Sequence, residues 1–260
     1  HASIPVSVMP NAGLPELGKH GAVYPLGADE FAPQVSDFVS EFGLSMVGGC
    51  CGTTPEHITK LRAEVLGRTK AERTVEPINA LSSLYTATPM RADAGIIMIG
   101  ERTNSNGSKR FREAMLASDW EKCMDIAKEQ MRDGAQMVDL CVDYVGRDGA
   151  LDMAELAGRF ATASTLPIML DSTEPDVIKA GLEHLGGRCA VNSVNYEDGA
   201  GPDSRFQRIM RLVAEHGPAV VGLTIDEEGQ ARTADRKVEI AERLIADLTE
   251  NWGVAENDII

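Results

Sequence analysis

Short apolar runs alternate with longer amphipathic stretches along this chain. The runs occupy residues 4–8, 44–47, 96–99, 136–140, 168–170, 190–191, 219–225 and 258–260. They are rich in Val and Ile and lack strict alternation with polar residues. That predicts strands buried on both faces, as in parallel sheets. The stretches between them carry helix-start signals. Ser118 and Glu121 predict a capping box for a helix that stops near Gly134. Thr173 ahead of Pro175, and Thr53 ahead of Pro55, predict two further helix starts. In the second of these, Ile58, Leu61 and Val65 fall on one stripe. Residues 234–251 predict a long helix with Val238, Ile240, Ala241, Leu244, Ile245 and Leu248 facing inward. Repeated βα units predict a parallel α/β fold, with a barrel as the favoured closure.

The rhythm breaks between residues 67 and 93, a polar segment with Pro77 and Pro89 and no strand pattern. It reads as an inter-domain linker or a strap. The alternative is a single long βα connection, in which case the eight runs would make one complete barrel.

Composition narrows the function classes. The chain has 260 residues, 25 Lys+Arg against 40 Asp+Glu and a net charge of −15. An acidic excess of this size repels phosphate backbones and argues against a nucleic-acid partner. Apolar residues make up 43%, enough for a packed core. No apolar run approaches the roughly 20 residues needed to span a bilayer. The opening HASIPVSVMP shows no basic segment followed by an apolar one, so it does not read as a signal peptide. Five cysteines without regular spacing argue against a disulfide framework and for a reducing compartment, the cytoplasm.

The ends of the apolar runs carry the chemistry. Glu101 and Asn104 follow the first run after the polar segment. Asp139 and Asp143 end the next, then Asp171 with Ser172, Asn192 with Ser193, and Asp226. In a parallel barrel these ends share one face, where active sites form. A ring of acceptors with few cations suits a neutral, donor-rich heterocycle such as a pterin better than it suits a phosphate. The plainer alternative is that these residues cap the following helices. There is no Walker A sequence and no glycine-rich dinucleotide turn. His57, His184 and His216 sit on helical patterns and read as surface or interface residues.

Cys50 and Cys51 lie in Gly48-Gly49-Cys50-Cys51-Gly52, between a run and a capped helix. Flanking glycines permit a sharp turn that lets both thiols face one ligand, and a helix N-terminus downstream favours thiolate. Thiolates suit zinc, which takes three or four protein ligands. Two adjacent cysteines are an incomplete set, so a buried structural pair is an equal alternative.

Taken together, the motifs resemble the cobalamin-dependent methionine synthase family. Residues 48–58, GGCCGTTPEHI, look like the end of that family's homocysteine-binding barrel. Gly100-Glu-Arg-Thr-Asn104 looks like the opening strand of its methyltetrahydrofolate-binding barrel, and Asp171-Ser172, Asn192-Ser193 and Asp226 resemble later strand ends. The resemblance implies two incomplete (βα)8 TIM-barrel units. Residues 1–68 would be the tail of a homocysteine barrel, 69–93 a linker, and 94–260 the first five to six βα units of a pterin barrel. The chain would then be a piece of a longer polypeptide and inactive by itself. The resemblance implies zinc held by three cysteines, of which Cys50 and Cys51 match two, the third lying before residue 1. It implies pterin contacts from Asp171 and Asn192, with Glu101, Asn104, Asp139, Ser193 and Asp226 as further candidates. It implies cobalamin on another module, with methyltetrahydrofolate and homocysteine as substrates of a methyltransferase in methionine biosynthesis. The second strand departs from the family's usual Asp-x-Asn, reading Asp139-Leu-Cys141, so Cys141 takes no role. Two other readings stand beside this one: a non-catalytic pterin-binding fragment, and a stand-alone pterin enzyme of the dihydropteroate synthase type.

Overall fold

The Val- and Ile-rich runs form parallel strands in the computed structural model, which describes residues 4–75, 78–91 and 95–260. The chain divides into two units, His1–Ile78 and Asn79–Ile260.

In the first unit β1 (Ser7–Val8) pairs in parallel with β4 (Met46–Val47). Between them lie a hairpin of β2 (Glu16–Gly18) with β3 (Gly21–Val23) and the helix α1 (Ala28–Phe42). The helix stops at Gly43, which adopts φ 63°, a left-handed conformation that favours glycine. A side chain there would also meet the Ala71 carbonyl at 2.4 Å. Helix α2 (Pro55–Val65) packs on α1, and Phe31, Ala32, Val35 and Leu61 make the core. His57 is not a surface residue: it is buried and helps cap α2. Its Nδ1 accepts from the Thr54 N–H at 3.3 Å while Nε2 bonds the Leu26 carbonyl at 2.9 Å. Both ring nitrogens are therefore satisfied, which makes the burial affordable. His184 and His216 are exposed, as expected.

The second unit opens with a hairpin of β5 (Ala80–Ser82) and β6 (Ala87–Pro89). Then come β7 (Ile99–Gly100), α3 (Lys109–Leu116), α4 (Trp120–Arg132), β8 (Met137–Leu140) and α5 (Gly149–Ala163). After them come β9 (Ile168–Asp171), α6 (Pro175–His184), β10 (Ala190–Val194), α7 (Arg205–His216) and β11 (Ala219–Gly222). A hairpin of β12 (Ile225–Asp226) with β13 (Gly229–Gln230) precedes α8 (Ala234–Ala246). The sheet runs β11-β10-β9-β8-β7, all parallel. Spatial order follows chain order, as in a barrel and unlike a doubly wound sheet. At the far edge Ile259 bridges in parallel to Val220. The fold is α/β with an incomplete barrel.

Alternation along the strands sorts the side chains. Val138, Leu140, Ile168, Leu170, Val191 and Val220 point outward and pack with helix residues such as Phe111, Leu156 and Ile209. Met137, Met169, Ala190 and Ala219 point inward and gather around Leu81. Among the described residues no helix is long and apolar enough to cross a membrane.

Further expectations change. The α-helix expected over 234–251 stops at Ala246, and Val238 and Ile245, expected to face inward, are exposed, as is Ile58 on α2. The polar segment holds a hairpin, β5–β6, that belongs to the second unit: Leu81 is buried against the inward residues, and Ser82 exchanges backbone hydrogen bonds with Arg188. Three-residue strands are too short to show periodicity, which is why the segment read as linker. Pro77 and Asp93, and the expected barrel start at Ala94, lie outside the described residues. The capping box at Ser118 is instead a cap by Asp119, whose side chain accepts from the Lys122 N–H at 3.1 Å. The run 219–225 splits, because the strand stops at Gly222 and Asp226 enters an antiparallel hairpin. The run 96–99 is not buried: Ile96 is 90% exposed and pairing starts only at Ile99.

The hairpin's place in the core can be checked. Leu81→Ala should lower unfolding stability by about 2–5 kcal/mol, as for other buried leucines. Denaturant unfolding measures it, and a change within about 0.5 kcal/mol would return the segment to the status of a surface linker.

Candidate functional site

The same inward-facing positions that are apolar at the base of the sheet become polar one step further along. Asp139 follows Met137, Asp171 follows Met169 and Asn192 follows Ala190, each two residues on and so on the same face. Register then aligns them: Asp139 lies beside Met169, and Asp171 beside Asn192. Together with Glu101 and Ile99 they line a cavity of about 220 Å³ at the carboxyl ends of the strands. Glu101 stands exposed at the rim, Asp139 is buried, and Asp171 and Asn192 are half-buried.

Asn104 lies behind this cavity. Its Nδ2 donates to Asp139 Oδ2 and to Asp171 Oδ2, both at 2.9 Å. Thr103 Oγ1 donates to the Asp139 carbonyl, and Gln130 on α4 donates to Thr103 Oγ1 at 3.1 Å. Burial pushes the Asp139 carboxyl up to about 7, with Asp171 and Glu101 adding repulsion and the Asn104 amide opposing both. Asp171 is raised for the same first reason, again opposed by Asn104. Three carboxyl side chains, two of them raised by burial, and a carboxamide thus face one small space. That set can take the N–H donors and carbonyl of a flat heterocycle's edge.

The remaining predicted residues lie elsewhere. Ser193, joined to Asn192 by a cis peptide, does not line the cavity. Asp226 is buried in an ion pair with Arg236 and accepts from the Glu228 N–H, so it braces the β12–β13 hairpin and does not face the cavity. Its displacement follows from the early stop of β11. Asp143 turns to the next loop, where both its oxygens accept from Ser172 Oγ, at 2.7 and 2.9 Å. Cys141 is buried beside Ser105 and Asn106, and burial pushes its thiol up to about 12.

In the first unit Cys50 and Cys51 follow β4. The Cys50 N–H donates to the Pro10 carbonyl at 2.9 Å and the Cys51 N–H to Asn11 Oδ1 at 3.1 Å. Both side chains are exposed and free, with their sulfurs 3.8 Å apart. Gly52 adopts φ +79°, and a Cβ there would lie 2.3 Å from Tyr24, so only glycine lets the turn close. The Cys51 thiol beside Tyr24 pushes the phenol above its ordinary value. Asn11 and Tyr24 were not foreseen, though an Asn followed by Ala-Gly after a strand is a usable turn signal. Bonds of about 2.3 Å from two thiolates to one tetrahedral ion put the sulfurs about 3.8 Å apart, which this pair matches. Among the described residues no three His, Cys, Asp or Glu side chains form a metal-holding group.

Comparison with known proteins adds to this geometry. Residues 100–260 match the family model described as pterin binding enzyme, and residues 1–65 match that described as homocysteine S-methyltransferase. Two curated proteins named methionine synthase align with the whole chain. That of Mycobacterium tuberculosis is 68% identical over 260 residues, and that of Mycobacterium leprae 64% over 267. The chain spans 22% of the length of each. Among solved structures, a dihydropteroate synthase from Yersinia pestis is similar at 10% identity and TM-score 0.48, over 70% of this chain and 62% of that one.

The raised Asp139 carboxyl has a consequence for stability. The folded chain holds this proton more tightly than the unfolded one, whose carboxyl titrates near about 4. Stability should therefore fall as the pH rises from about 4 to about 7 and stay lower above. Asp139→Asn keeps an acceptor for Asn104 and removes the charge. It should flatten that slope and raise the urea midpoint at about pH 8 relative to the parent. An unchanged slope would show Asp139 to be ionised throughout.

Proposed function

This chain belongs to the pterin binding enzyme family, and we propose that it forms part of a methyltransferase that makes methionine. The methyl group would pass from 5-methyltetrahydrofolate by way of cobalamin to homocysteine, leaving tetrahydrofolate. The observation that carries this reading is the convergence of Glu101, Asp139, Asp171 and Asn192 on one cavity above an apolar floor. The methionine synthases aligned with the whole chain support it. So does the homocysteine S-methyltransferase match over residues 1–65, which tells against a stand-alone enzyme of the dihydropteroate synthase type.

In this reading Asp171 accepts the amino and ring N–H donors of the pterin, and Asn192 both donates and accepts beside it. A tertiary amine is a poor leaving group, so N5 must gain a proton before the methyl departs. The polar rim of the cavity can organise that proton through water. Cobalamin, on a module outside this chain, supplies the methyl carrier. The first unit is read as part of a homocysteine-binding barrel, with Cys50 and Cys51 as two ligands of a zinc ion. Zinc, when bound, lets a thiol be held as thiolate at neutral pH. Asn11 and Gly52 then serve to hold the two thiols together on the surface. We place the protein in the cytoplasm, where five free cysteines stay reduced.

Two measurements test these assignments. Asp171→Ala in the intact protein removes a charged acceptor, and such hydrogen bonds are worth roughly 1.5–3 kcal/mol each. Affinity for methyltetrahydrofolate and methylation of cob(I)alamin should fall at least about tenfold, while homocysteine methylation from methylcobalamin stays unchanged. Normal folate binding, or equal damage to both half-reactions, would return Asp171 to a structural role. For zinc, the 260-residue chain should bind weakly and below one equivalent, well short of the about 10–16 kcal/mol of a complete site. Competition with a chromophoric chelator reads this, and tight one-to-one binding would mean that another ligand completes the pair.

A further inference from the structure

Asn104 is only 5% exposed, yet every polar atom of its carboxamide is engaged. Oδ1 accepts from the backbone N–H of Asn106 at 2.9 Å and of Gly107 at 3.0 Å. Nδ2 directs one proton to Asp139 and the other to Asp171. The two backbone donors settle which end of the amide faces which way, since a flipped amide would set its carbonyl against two carboxylates. The residue is itself anchored, because its backbone bridges in parallel to Cys141 and its carbonyl accepts from Ser108. A single NH2 group therefore ties together the ends of two neighbouring strands.

Among the described residues, the other groups facing the two carboxylates offer no charge compensation. Glu101 comes from the end of β7, and Cys141 and Asp143 come from the chain after β8, the Cys141 thiol being a second, neutral donor to Asp171 alone. Thr103 and Gln130, behind them, are neutral. Asn104 is thus the amide donor that the two carboxylates share. Two like charges at one site disfavour double ionisation, and burial works in the same direction. Donors to the charged forms oppose both effects.

We infer that Asn104 is a positioning residue, which acts through Asp139 and Asp171 by holding them side by side so that Asp171 meets the pterin's N–H donors as a charged acceptor. This rests on the pterin reading above. Asn104 lies outside the cavity wall, and its effect on the ligand passes through the carboxylates it holds.

The test is calorimetric binding of 5-methyltetrahydrofolate to the intact protein, from about pH 6 to about pH 9. Affinity in the parent should fall towards acid as the Asp139–Asp171 pair takes up a proton, since burial raises both carboxyls. Asn104→Ser keeps a short acceptor for the turn but cannot reach the carboxylates. Asn104→Asp keeps the shape and the turn but replaces the donor by a third anion. Both should move the acid limb to higher pH, by about one unit or more, with the larger shift for Asn104→Asp. Affinity in Asn104→Ser should drop about tenfold or more at pH 6 and recover to within about threefold at pH 9. A merely structural role would lower affinity by one factor at every pH, and that result, or an unmoved profile, overturns the inference. If Asn104→Ser does not fold, Asn104→Asp decides alone. Asp171→Ala, measured in parallel, separates the two levels. Normal binding in that variant sinks the pterin reading itself. Lost binding there, with unmoved profiles in the Asn104 variants, sinks only the role given to Asn104.

Discussion

Two carboxylates of like charge, Asp139 and Asp171, lie side by side on neighbouring strands, and the upper end of the second unit is organised around that repulsion. Burial raises both, and among the described residues no cation answers them. What holds them is a neutral amide whose orientation is set by backbone donors one turn away. A cation in the same place would neutralise the pair but also occupy the acceptors. A neutral donor engages one oxygen of each carboxylate, and leaves the site able to hold or release a proton near neutrality.

That arrangement depends on a rigid floor. Parallel pairing fixes the register of β8, β9 and β10, and a one-residue slip would turn every inward side chain outward. The inward residues divide into two levels. Met137, Met169, Ala190 and Ala219 form an apolar lower level closed by Leu81 from the β5–β6 hairpin. Asp139, Asp171 and Asn192 form the polar level above. Stability and chemistry are thereby separated along the same strands, the amino ends serving the first and the carboxyl ends the second.

The thiol pair of the first unit follows a different logic. Adjacent residues normally point apart, and here the turn around Gly49 and Gly52 brings the two sulfurs to 3.8 Å. Hydrogen bonds from both cysteine amides to the 10–11 segment pin the loop to the end of the neighbouring strand. The geometry is held by backbone and glycine, so the thiols themselves stay exposed, with the Tyr24 phenol beside Cys51.

Much of this was legible in the chain. Local patterns determined the βα repeat, the helix starts at Pro55 and Pro175, and the polar residues that end successive strands, because burial periodicity and capping act over a few residues. They also marked Cys50 and Cys51 as one cluster. Tertiary structure decided the rest. Glu101, Asp139, Asp171 and Asn192 share a cavity while Asp226 does not, and that difference follows from where β11 stops pairing. His57 became a buried cap because the Leu26 carbonyl, 31 residues away, completes its hydrogen bonds. Leu81 became core because the open base of the sheet offered apolar partners that its own three-residue strand does not reveal. Asn104 reads in sequence as one more polar strand end. Only the register of two distant strands sets both carboxylates within reach of one amide, since such contacts join residues 35 and 67 positions apart.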